Sequence, residues 1–330
     1  MSAVETPRAP HRFSRLDVRS LDPPPRLILN PRAGQKLGLP TNAGGAEVVE
    51  AALAAAGLRV VLSLTEAPQH ATQLAREAAD EGCQLVIAAG GDGTLGEAAK
   101  GLVGSQTALG IMPLGSIMNI PRMLGVPRDL NAAAQIIAAG QVLAMDVGRV
   151  FGRECFLEAG GVGLAAGLFG YFDRLDSGAP PQGVLRGALR FMRGLGTPRL
   201  VIVADGRRFE VRSPMVTVAN GPFVGAAYAL APEARVDDGV LDVLIFREAG
   251  VLRVLLHMLL VAGGRRRPAP PRTQVLQARR IEVATRSRRR PLPVHADGAA
   301  VGATPAVFEV LTAALRVIVG EQGAFGYASG

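Results

Sequence analysis

The stretch LVIAAGGDGTLGEAAKGL, Leu85–Leu102, decides the fold class of this chain. Its first residues form a short apolar run, which is typical of a strand buried on both faces. The turn Gly90–Thr94 follows, and the remaining residues have the spacing of a helix. A buried strand, a glycine turn and a helix form part of a parallel βαβ unit, so the stretch predicts an α/β fold.

The flanking sequence repeats this alternation of strands and helices. Apolar runs predict strands at 26–30, 58–64, 84–89 and 108–113, and helical spacing predicts helices at 46–57, 68–82 and 129–140. This order predicts a doubly wound parallel sheet, and such sheets bind ligands beyond the carboxyl ends of their strands.

The sequence pattern changes after about residue 142, where short predicted strands are separated by turn residues. This pattern predicts an antiparallel β-sandwich, interrupted by helices near 183–195 and 250–262. We therefore expect a two-domain α/β protein. Its predicted parts are a flexible tail at 1–25, a nucleotide-binding α/β domain at 26–142, a β-rich domain at 143–320 whose last segment returns to the first domain, and a tail at 321–330.

Composition and charge restrict the partners. The chain has 36 basic and 28 acidic residues among 330, a net charge of +8. Aromatic residues make up only 4% of the chain and no nucleic-acid motif is present, so nucleic acid is not an expected partner. Residues 265–290 contain ten arginines and one acid, which fits either a charged strand edge or a surface for anionic lipid or nucleotide phosphates.

The turn Gly90–Thr94 favours a phosphate ligand. Consecutive small residues at a helix start leave backbone N–H groups unshielded, and the helix dipole adds to their pull on an anion. Asp92 would repel a bare phosphate, so it indicates either Mg²⁺ carried by a nucleotide or a proton to be removed from a hydroxyl. Taken alone, the motif also fits a tight turn without a ligand. The loops Asn30–Gly34 and Pro113–Ser116, and the hydroxyl of Thr65, follow other strands at the same predicted edge.

Together these motifs resemble a known family. NPRAG, Thr65, GGDGT and PLGS, followed by R-x-LG-x-P at 122–127, are similar in order to the bacterial diacylglycerol kinase and sphingosine kinase family of lipid kinases. The later segments DVGRV, FLEAGGVG, DDGVLDV and HADG resemble family motifs as well. The resemblance spans roughly residues 26–320.

The resemblance implies transfer of the γ-phosphate of ATP, with Mg²⁺, to the hydroxyl of a diacylglycerol or sphingoid-type lipid in a cleft between two domains. The implied nucleotide-binding residues are Asn30, Pro31, Arg32, Ala33, Gly34, Thr65, Gly90, Gly91, Asp92, Gly93, Thr94, Leu95, Gly96 and Ser116. The implied metal loop has Asp238 as a side-chain ligand and the carbonyls of Arg235 and Val240 as backbone ligands. We also expect Asp146 to be a cleft residue and His295 to be structural.

The sequence departs from the family pattern at three places. The last family motif ends in Asp-Gly-Glu, whose glutamate accepts the proton, whereas this chain has Ala299 after Gly298. SIMNI replaces Thr-x-Asn-Asp, so Met118 stands where the family has Asn, and Lys100 replaces another Asn.

Three interpretations follow from these departures. In the first, Asp92 or Asp297 is the catalytic base, or positioning and Mg²⁺ suffice without one. In the second, the protein binds nucleotide or lipid without transferring phosphate. The third is a related NAD kinase-like enzyme acting on a small molecule, because NAD kinases share the GGDGT loop.

The lipid substrate implies contact with a membrane surface. No run reaches the roughly 18 apolar residues of a membrane span, and no secretory signal is evident. We expect a cytoplasmic protein that binds the anionic inner membrane face peripherally, through Gly163–Phe172 and residues 265–290. The oligomeric state stays open between a monomer and a homodimer.

Overall fold

A computed structural model gives the fold, and it describes residues 13–33, 35–36, 39–40, 45–176, 178–223, 229–247, 250–262, 273–287 and 290–320. The helices are α1 Ala46–Ala55, α2 His70–Asp80, α3 Asp92–Leu102, α4 Asn119–Met123, α5 Leu130–Ala139, α6 Leu164–Asp176, α7 Pro181–Leu195 and α8 Val251–Ala262, with a 3-10 turn at Val18–Ser20.

The strands, numbered along the chain, are β1 Phe13–Arg15, β2 Arg26–Leu29, β3 Gln35–Lys36, β4 Leu39–Pro40, β5 Val61–Leu64, β6 Leu85–Gly90, β7 Ala108–Pro113, β8 Gln141–Val150, β9 Glu154–Phe156, β10 Ala159–Gly163, β11 Arg199–Ala204, β12 Arg207–Arg212, β13 Met215–Ala219, β14 Leu241–Phe246, β15 Thr273–Ala278, β16 Arg280–Thr285, β17 Pro293–Ala296, β18 Ala299–Ala303 and β19 Ala306–Ile318.

The chain divides into two compact units. The α/β unit holds the described residues up to Val147, together with Arg235–Asp238 and the residues from Thr312 on. The sandwich unit holds Gly148–Ala234 and Gly239–Leu311.

The α/β unit is built on parallel strands in the order β5-β2-β6-β7, followed by the end of β19. Every residue of β6 and β7 is buried, which explains why both read as continuous apolar runs. Helix α2 packs against α3, and α1 against α5. The carboxyl ends of β2, β5, β6 and β7 therefore lie along one edge of this sheet, because the strands are parallel.

The sandwich unit pairs two antiparallel layers. One is the six-stranded sheet β15-β14-β13-β10-β17-β18, and the other has the order β12-β11-β16 followed by the start of β19. Apolar side chains from both layers form one core cluster, which includes Phe156, Ile202, Val218 and Phe308. Burial of this shared core holds the two layers together.

Helices α6, α7 and α8 cover the other face of the six-stranded sheet. Alternate residues of its strands, such as Met215 and Phe246, belong to a second apolar cluster with Leu164 of α6 and Val254 of α8. Phe191 of α7 packs against the same cluster. The central strands β10, β13 and β14 are therefore buried on both faces, by the second layer on one side and by helices on the other.

The predicted fold class, a parallel α/β domain followed by an antiparallel β-sandwich, is confirmed. The strand predicted at 58–64 begins only at Val61, because the Leu58 N–H bonds the Leu53 carbonyl (3.0 Å) and Gly57 has φ 80°. Those two residues form the C-terminal cap of α1 and are not available to the strand.

Sequence reasoning missed helix α6 and strand β10. Three of the five β10 residues are glycines, which weaken a strand pattern. They are needed here because a Cβ at Gly160 would lie 2.8 Å from the Phe308 ring and one at Gly161 would lie 2.7 Å from His295 Nε2. Glycine in β10 makes room for buried rings.

Candidate functional site

The GGDGT turn lies where β6 ends and α3 begins, with Gly91 as the residue preceding the helix. The first amides of a helix have no acceptor within the helix, and the helix dipole is positive at that end. Asp92 and Gly93 occupy this first turn, and Gly93 is exposed with open space around its Cα. The geometry of this turn fits the anionic ligand that the sequence predicts for it, and that ligand stays a prediction.

Asn30 connects the first loop to this turn. Its Nδ2 donates to Thr94 Oγ1 (3.0 Å), and its Oδ1 accepts the N–H of Arg32 (2.9 Å). A Cβ at Gly90 would lie 2.6 Å from the Thr94 Cβ, so this glycine lets the Thr94 side chain fold back over the strand end. The side chain of Asn30 thus fixes the first loop against the start of α3. Gly34, the last residue of NPRAG, lies outside the described residues.

The PLGS loop touches the GGDGT turn through two glycines. A Cβ on Gly115 would lie 2.6 Å from the Gly91 Cα, a backbone atom that has little room to move. The Leu114 N–H donates to the Gly90 carbonyl (2.9 Å), and the Gly115 N–H faces Met118 Sδ at 3.1 Å. These backbone contacts set the spacing between the two predicted phosphate loops.

Asp92 ties the same two loops together. Its two carboxylate oxygens accept the backbone N–H groups of Asn119 (3.1 Å) and Ile120 (3.0 Å), which start helix α4. Met118, just before them, is buried and has φ 63° and ψ 48°, a left-handed conformation that Asn adopts more easily. The conformation at 118 therefore explains why an Asn suits this position in the family pattern.

Thr65 and Ser116 lie beside their strand ends as predicted. The Thr65 N–H bonds the Leu29 carbonyl (2.9 Å), which continues the pairing of β5 with β2. Ser116 is exposed, and its carbonyl accepts a hydrogen bond from Arg128. Leu95 and Gly96 are buried inside α3, so they can support the turn but present no side chain to a ligand.

The predicted metal loop at residues 235–240, here called the DDG segment, belongs in part to the α/β unit through Arg235–Asp238. Arg235 pairs with Asp237 (3.3 Å), and the Val236 carbonyl accepts the Asp146 N–H (2.6 Å). Asp146 also accepts the N–H of Ala313 in β19 at 2.7 Å. Asp146 therefore fastens the DDG segment and the last strand to β8.

The donor set of this segment tests whether Mg²⁺ fits. Across the described parts of the chain, no three His, Cys, Asp or Glu side chains are grouped to hold a metal ion. Asp237 pairs with Arg235, and the side-chain metal ligand that the resemblance implies is the neighbouring Asp238. One carboxylate suits a Mg²⁺ that arrives on nucleotide phosphates and keeps several waters, and does not suit a permanent metal centre.

Asp297 lies in the sandwich unit, at the turn between β17 and β18. Its Oδ1 accepts the N–H groups of Glu158 (2.9 Å) and Ala159 (3.1 Å), and its Oδ2 accepts that of Leu157 (2.7 Å). These three bonds hold the Asp-Gly-Ala turn against the segment between β9 and β10. Ala299, which follows, is exposed.

His295 is buried next to this turn. It is 1% exposed, its ring lies 4.9 Å from that of Phe169, and its Nδ1 accepts the Gly298 N–H at 3.4 Å. Burial lowers its pKa from 6.5 to about 4, so the ring is neutral at pH 7. His295 is thus a packing element between β10 and α6.

Two residues of this region were missed from the sequence. Glu158 is buried, and its carbonyl accepts the N–H groups of Asn220 (2.9 Å) and Gly221 (3.0 Å). The Asn220 side chain donates to the Leu157 carbonyl at 3.0 Å. Polar residues inside apolar strand patterns, as in FLEAGG and TVANG, are the sequence signal that could have identified them.

The fold and the loops define a class of protein: an α/β unit with phosphate-type loops at its strand ends, combined with a β-sandwich. Comparison with known proteins agrees. Residues 24–150 match the diacylglycerol kinase catalytic domain, and residues 183–319 match the YegS C-terminal NAD kinase beta sandwich-like domain.

Two relatives and one solved structure identify the family of this chain. A probable lipid kinase, YegS-like, of Chromohalobacter salexigens is 33% identical over 249 residues, 71% of this chain and 74% of the relative. The diacylglycerol kinase of Bacillus subtilis is 28% identical over 231 residues, 68% of this chain and 74% of that protein. For the fold, a crystal structure of a diacylglycerol kinase from Bacillus anthracis str. Sterne has a TM-score of 0.67 at 24% identity, covering 90% of this chain and 97% of that one. The chain belongs to the bacterial lipid kinase family that carries the diacylglycerol kinase catalytic domain.

Proposed function

We propose that this protein transfers the γ-phosphate of ATP to the hydroxyl of a lipid alcohol, of the diacylglycerol or sphingoid type. The observation that carries the proposal is the pair of interlocked loops at the start of α3. Gly91 and Gly115 hold them in backbone contact, and Asn30 bonds Thr94 beside them. Nucleotide phosphates are the anions that such a loop pair suits best.

Within this proposal, the amides of the first α3 turn would hold the phosphates, and Asp238 with the carbonyls of Arg235 and Val240 would hold the Mg²⁺ that the nucleotide carries. The ion would neutralise charge on the transferred group. The protein mainly positions the reacting groups, which is the dominant contribution to phosphoryl transfer. Positioning is the relevant contribution here, because Asp92 and Asp297 already accept backbone N–H groups and would hold them more weakly after taking a proton.

A second candidate is favoured by Ala299. The position that carries the proton-accepting glutamate in the family pattern has no carboxylate here. Absence of a general base lowers a rate by about 10²- to 10⁴-fold. A protein with that loss could serve as a nucleotide- or lipid-binding module with no useful turnover.

Transfer of labelled γ-phosphate from ATP to a panel of lipid alcohols in mixed micelles separates the two candidates. We expect transfer by the wild type and a faster rate for Ala299→Glu. A wild type inactive on every acceptor, with activity only in Ala299→Glu, would establish the binding module instead. Activity in neither, together with no ATP binding, would overturn both.

Gly93 offers a clean test of the nucleotide site. A side chain there meets open space, so Gly93→Asp leaves the fold intact while it places a negative charge where phosphate would bind. We expect MgATP affinity by calorimetry to fall at least tenfold, with an unchanged melting temperature, because a carboxylate in the first helical turn is favourable. The matched control is Gly45→Asp, at the start of α1, which also has open space. Equal affinity in both variants would contradict the assignment.

A further inference from the structure

Three consecutive backbone amides distinguish the loop that follows β7. The N–H groups of Ser116, Ile117 and Met118 make no hydrogen bond to any acceptor among the residues that the structure describes. Ser116 and Ile117 are exposed, and Met118 has a left-handed backbone conformation. Successive N–H groups in a turn of this kind form a concavity that suits an anion. These three groups, here called the 116–118 amides, are therefore able to donate to a ligand.

Arg128 holds the carbonyl groups of the same loop. Its Nη2 donates to the Ser116 carbonyl and lies 3.4 Å from the Ile117 carbonyl. The peptide bonds of this loop are trans, and in a trans peptide the C=O group and the N–H group that follows it point in opposite directions. Because both carbonyls face Arg128, the N–H groups of Ile117 and Met118 point away from its guanidinium.

These two carbonyls are the contacts that define the role of Arg128. Its side chain is exposed, and it forms no ion pair with a carboxylate in the described parts of the chain. The neighbouring Asp129 uses its Oδ1 to accept the Ala132 N–H (2.8 Å) and so caps α5. Arg128 is therefore a clamp on the loop and not half of a surface salt bridge.

The clamped loop is fixed to the start of α3 at both of its ends. Before the 116–118 amides, Gly115 packs against the backbone of Gly91. After them, the N–H groups of Asn119 and Ile120 donate to Asp92. The first amides of the short helix α4 are thus occupied, so the 116–118 amides are the donors that this loop can add beside the first turn of α3.

We propose that Arg128 is a positioning residue for the nucleotide. By holding the carbonyls of Ser116 and Ile117, it directs the amides of Ile117 and Met118 to an oxygen of the nucleotide phosphates, next to the first turn of α3. A polyphosphate has enough oxygens to accept from both sets of amides at once. The inference rests on the proposed function, because the use of ATP is what brings a polyphosphate to this loop.

Calorimetry with MgATP tests the clamp without any phosphate transfer. Arg128→Met removes the donor and keeps a long side chain, and we expect the affinity to fall about tenfold to thirtyfold, because the loop no longer presents both amides to the phosphate. The melting temperature should stay unchanged, because Arg128 is exposed. The experiment uses the full chain in aqueous buffer. The described part of the chain contains no helix that is long and apolar enough to cross a bilayer.

Two control variants separate the clamp from the charge. Arg59→Met makes the same charge change at an exposed position ahead of β5, at the opposite edge of the sheet. It should leave the MgATP affinity within about twofold of the wild type, because a strand length exceeds the screening length. Arg128→Lys keeps a donor for one carbonyl and should bind MgATP within about threefold of the wild type.

Hydrogen exchange measured by mass spectrometry tests the amides themselves. In the wild type, bound MgATP should slow the exchange of about two amides between Leu114 and Ile120. In Arg128→Met saturated with MgATP, this protection should be smaller. A role in the stability of the free loop alone would change exchange equally with and without nucleotide.

Three results would overturn the positioning role of Arg128. The first is an Arg128→Met variant that binds MgATP as tightly as the wild type, or no more weakly than Arg59→Met. The second is a defect of Arg128→Met that disappears at high salt, which would show attraction by charge in place of loop positioning. The third is a wild type that binds MgATP with no added protection of the 116–118 amides.

The proposed function can fail separately. A wild type that binds MgATP and transfers phosphate to no lipid alcohol would refute the kinase and leave the role of Arg128 in nucleotide binding standing. A wild type that binds no MgATP would overturn both.

Discussion

Acidification should weaken the sandwich unit through one buried histidine, His295. Its pKa is 6.5 in an exposed chain and about 4 in the folded protein, because burial disfavours the charged ring. Between about pH 4 and pH 6.5 the ring is protonated in the unfolded chain and neutral in the folded protein. The stability associated with neutral His295 is therefore fully present above about pH 6.5 and is lost as pH falls towards 4.

The size of the effect follows from the shift. Each pKa unit corresponds to 1.36 kcal/mol, so a shift from 6.5 to about 4 amounts to about 3 kcal/mol at low pH. By pH 5 about 2 kcal/mol of this has already been lost relative to pH 7.5. His295→Gln removes the titration and keeps an uncharged polar side chain of similar length at this position.

Urea denaturation at pH 7.5 and pH 5.0 measures the difference. Pulse hydrogen exchange on peptides from β10 and β17 assigns the transition to this sheet. We expect the wild type to lose about 2 kcal/mol more than His295→Gln between the two pH values, because all other titrations cancel in the comparison. His70→Gln, near the surface at the start of α2, controls for the loss of any one histidine. Equal losses in the wild type and His295→Gln would refute the reasoning.

Three further substitutions test the contacts that hold the loops. In Gly115→Ala the new Cβ would lie 2.6 Å from the Gly91 Cα, so we expect the α/β unit to lose about 1–3 kcal/mol of stability. MgATP binding, measured by calorimetry, should weaken at least tenfold, and unchanged affinity would contradict this. Asp92→Asn should lower the free energy of unfolding in urea by about 1.5–3 kcal/mol, because an N–H group at the start of α4 loses its charged acceptor. A variant that is as stable as the wild type but inactive would instead indicate a purely chemical role for Asp92. Asp297→Asn should lower the melting temperature of the sandwich unit for the same reason, and an unchanged melting temperature would show that its three amide bonds are dispensable.

The sequence was informative where periodicity and turn residues agree. The runs that became β2, β6 and β7 are apolar because these strands are covered on both faces, so the parallel sheet could be predicted, and with it the edge where the loops after these strands lie. The loops at Asn30 and Gly115 were placed correctly at strand ends for the same reason. Their interlocking could not be predicted, since it depends on a contact between two glycines 24 positions apart, Gly91 and Gly115.

Misplaced or missed elements have tertiary causes. Leu58 reads as the start of a strand, but its N–H closes the end of α1. The glycines of β10 are typical of a loop in the sequence. The strand needs them because the rings of Phe308 and His295 lie beside it in the fold. The long strand β19 turns at Ala313, whose φ is 51°, and the acceptor that holds this bend is Asp146, far away in the sequence. No local pattern contains that information.

The two carboxylates first considered as catalytic bases have one feature in common. Asp92 accepts two backbone N–H groups at the start of α4, and Asp297 accepts three beside β10, so each holds a loop through charge-assisted bonds. A carboxylate in that position organises its surroundings best while ionised, and protonation would weaken the loop in the very step that needs it rigid. Both aspartates therefore have a positioning role that requires no proton transfer. If this protein transfers phosphate, the rate depends on how firmly these loops hold the phosphate and the acceptor. The rate of Ala299→Glu relative to the wild type then measures what a proton acceptor contributes.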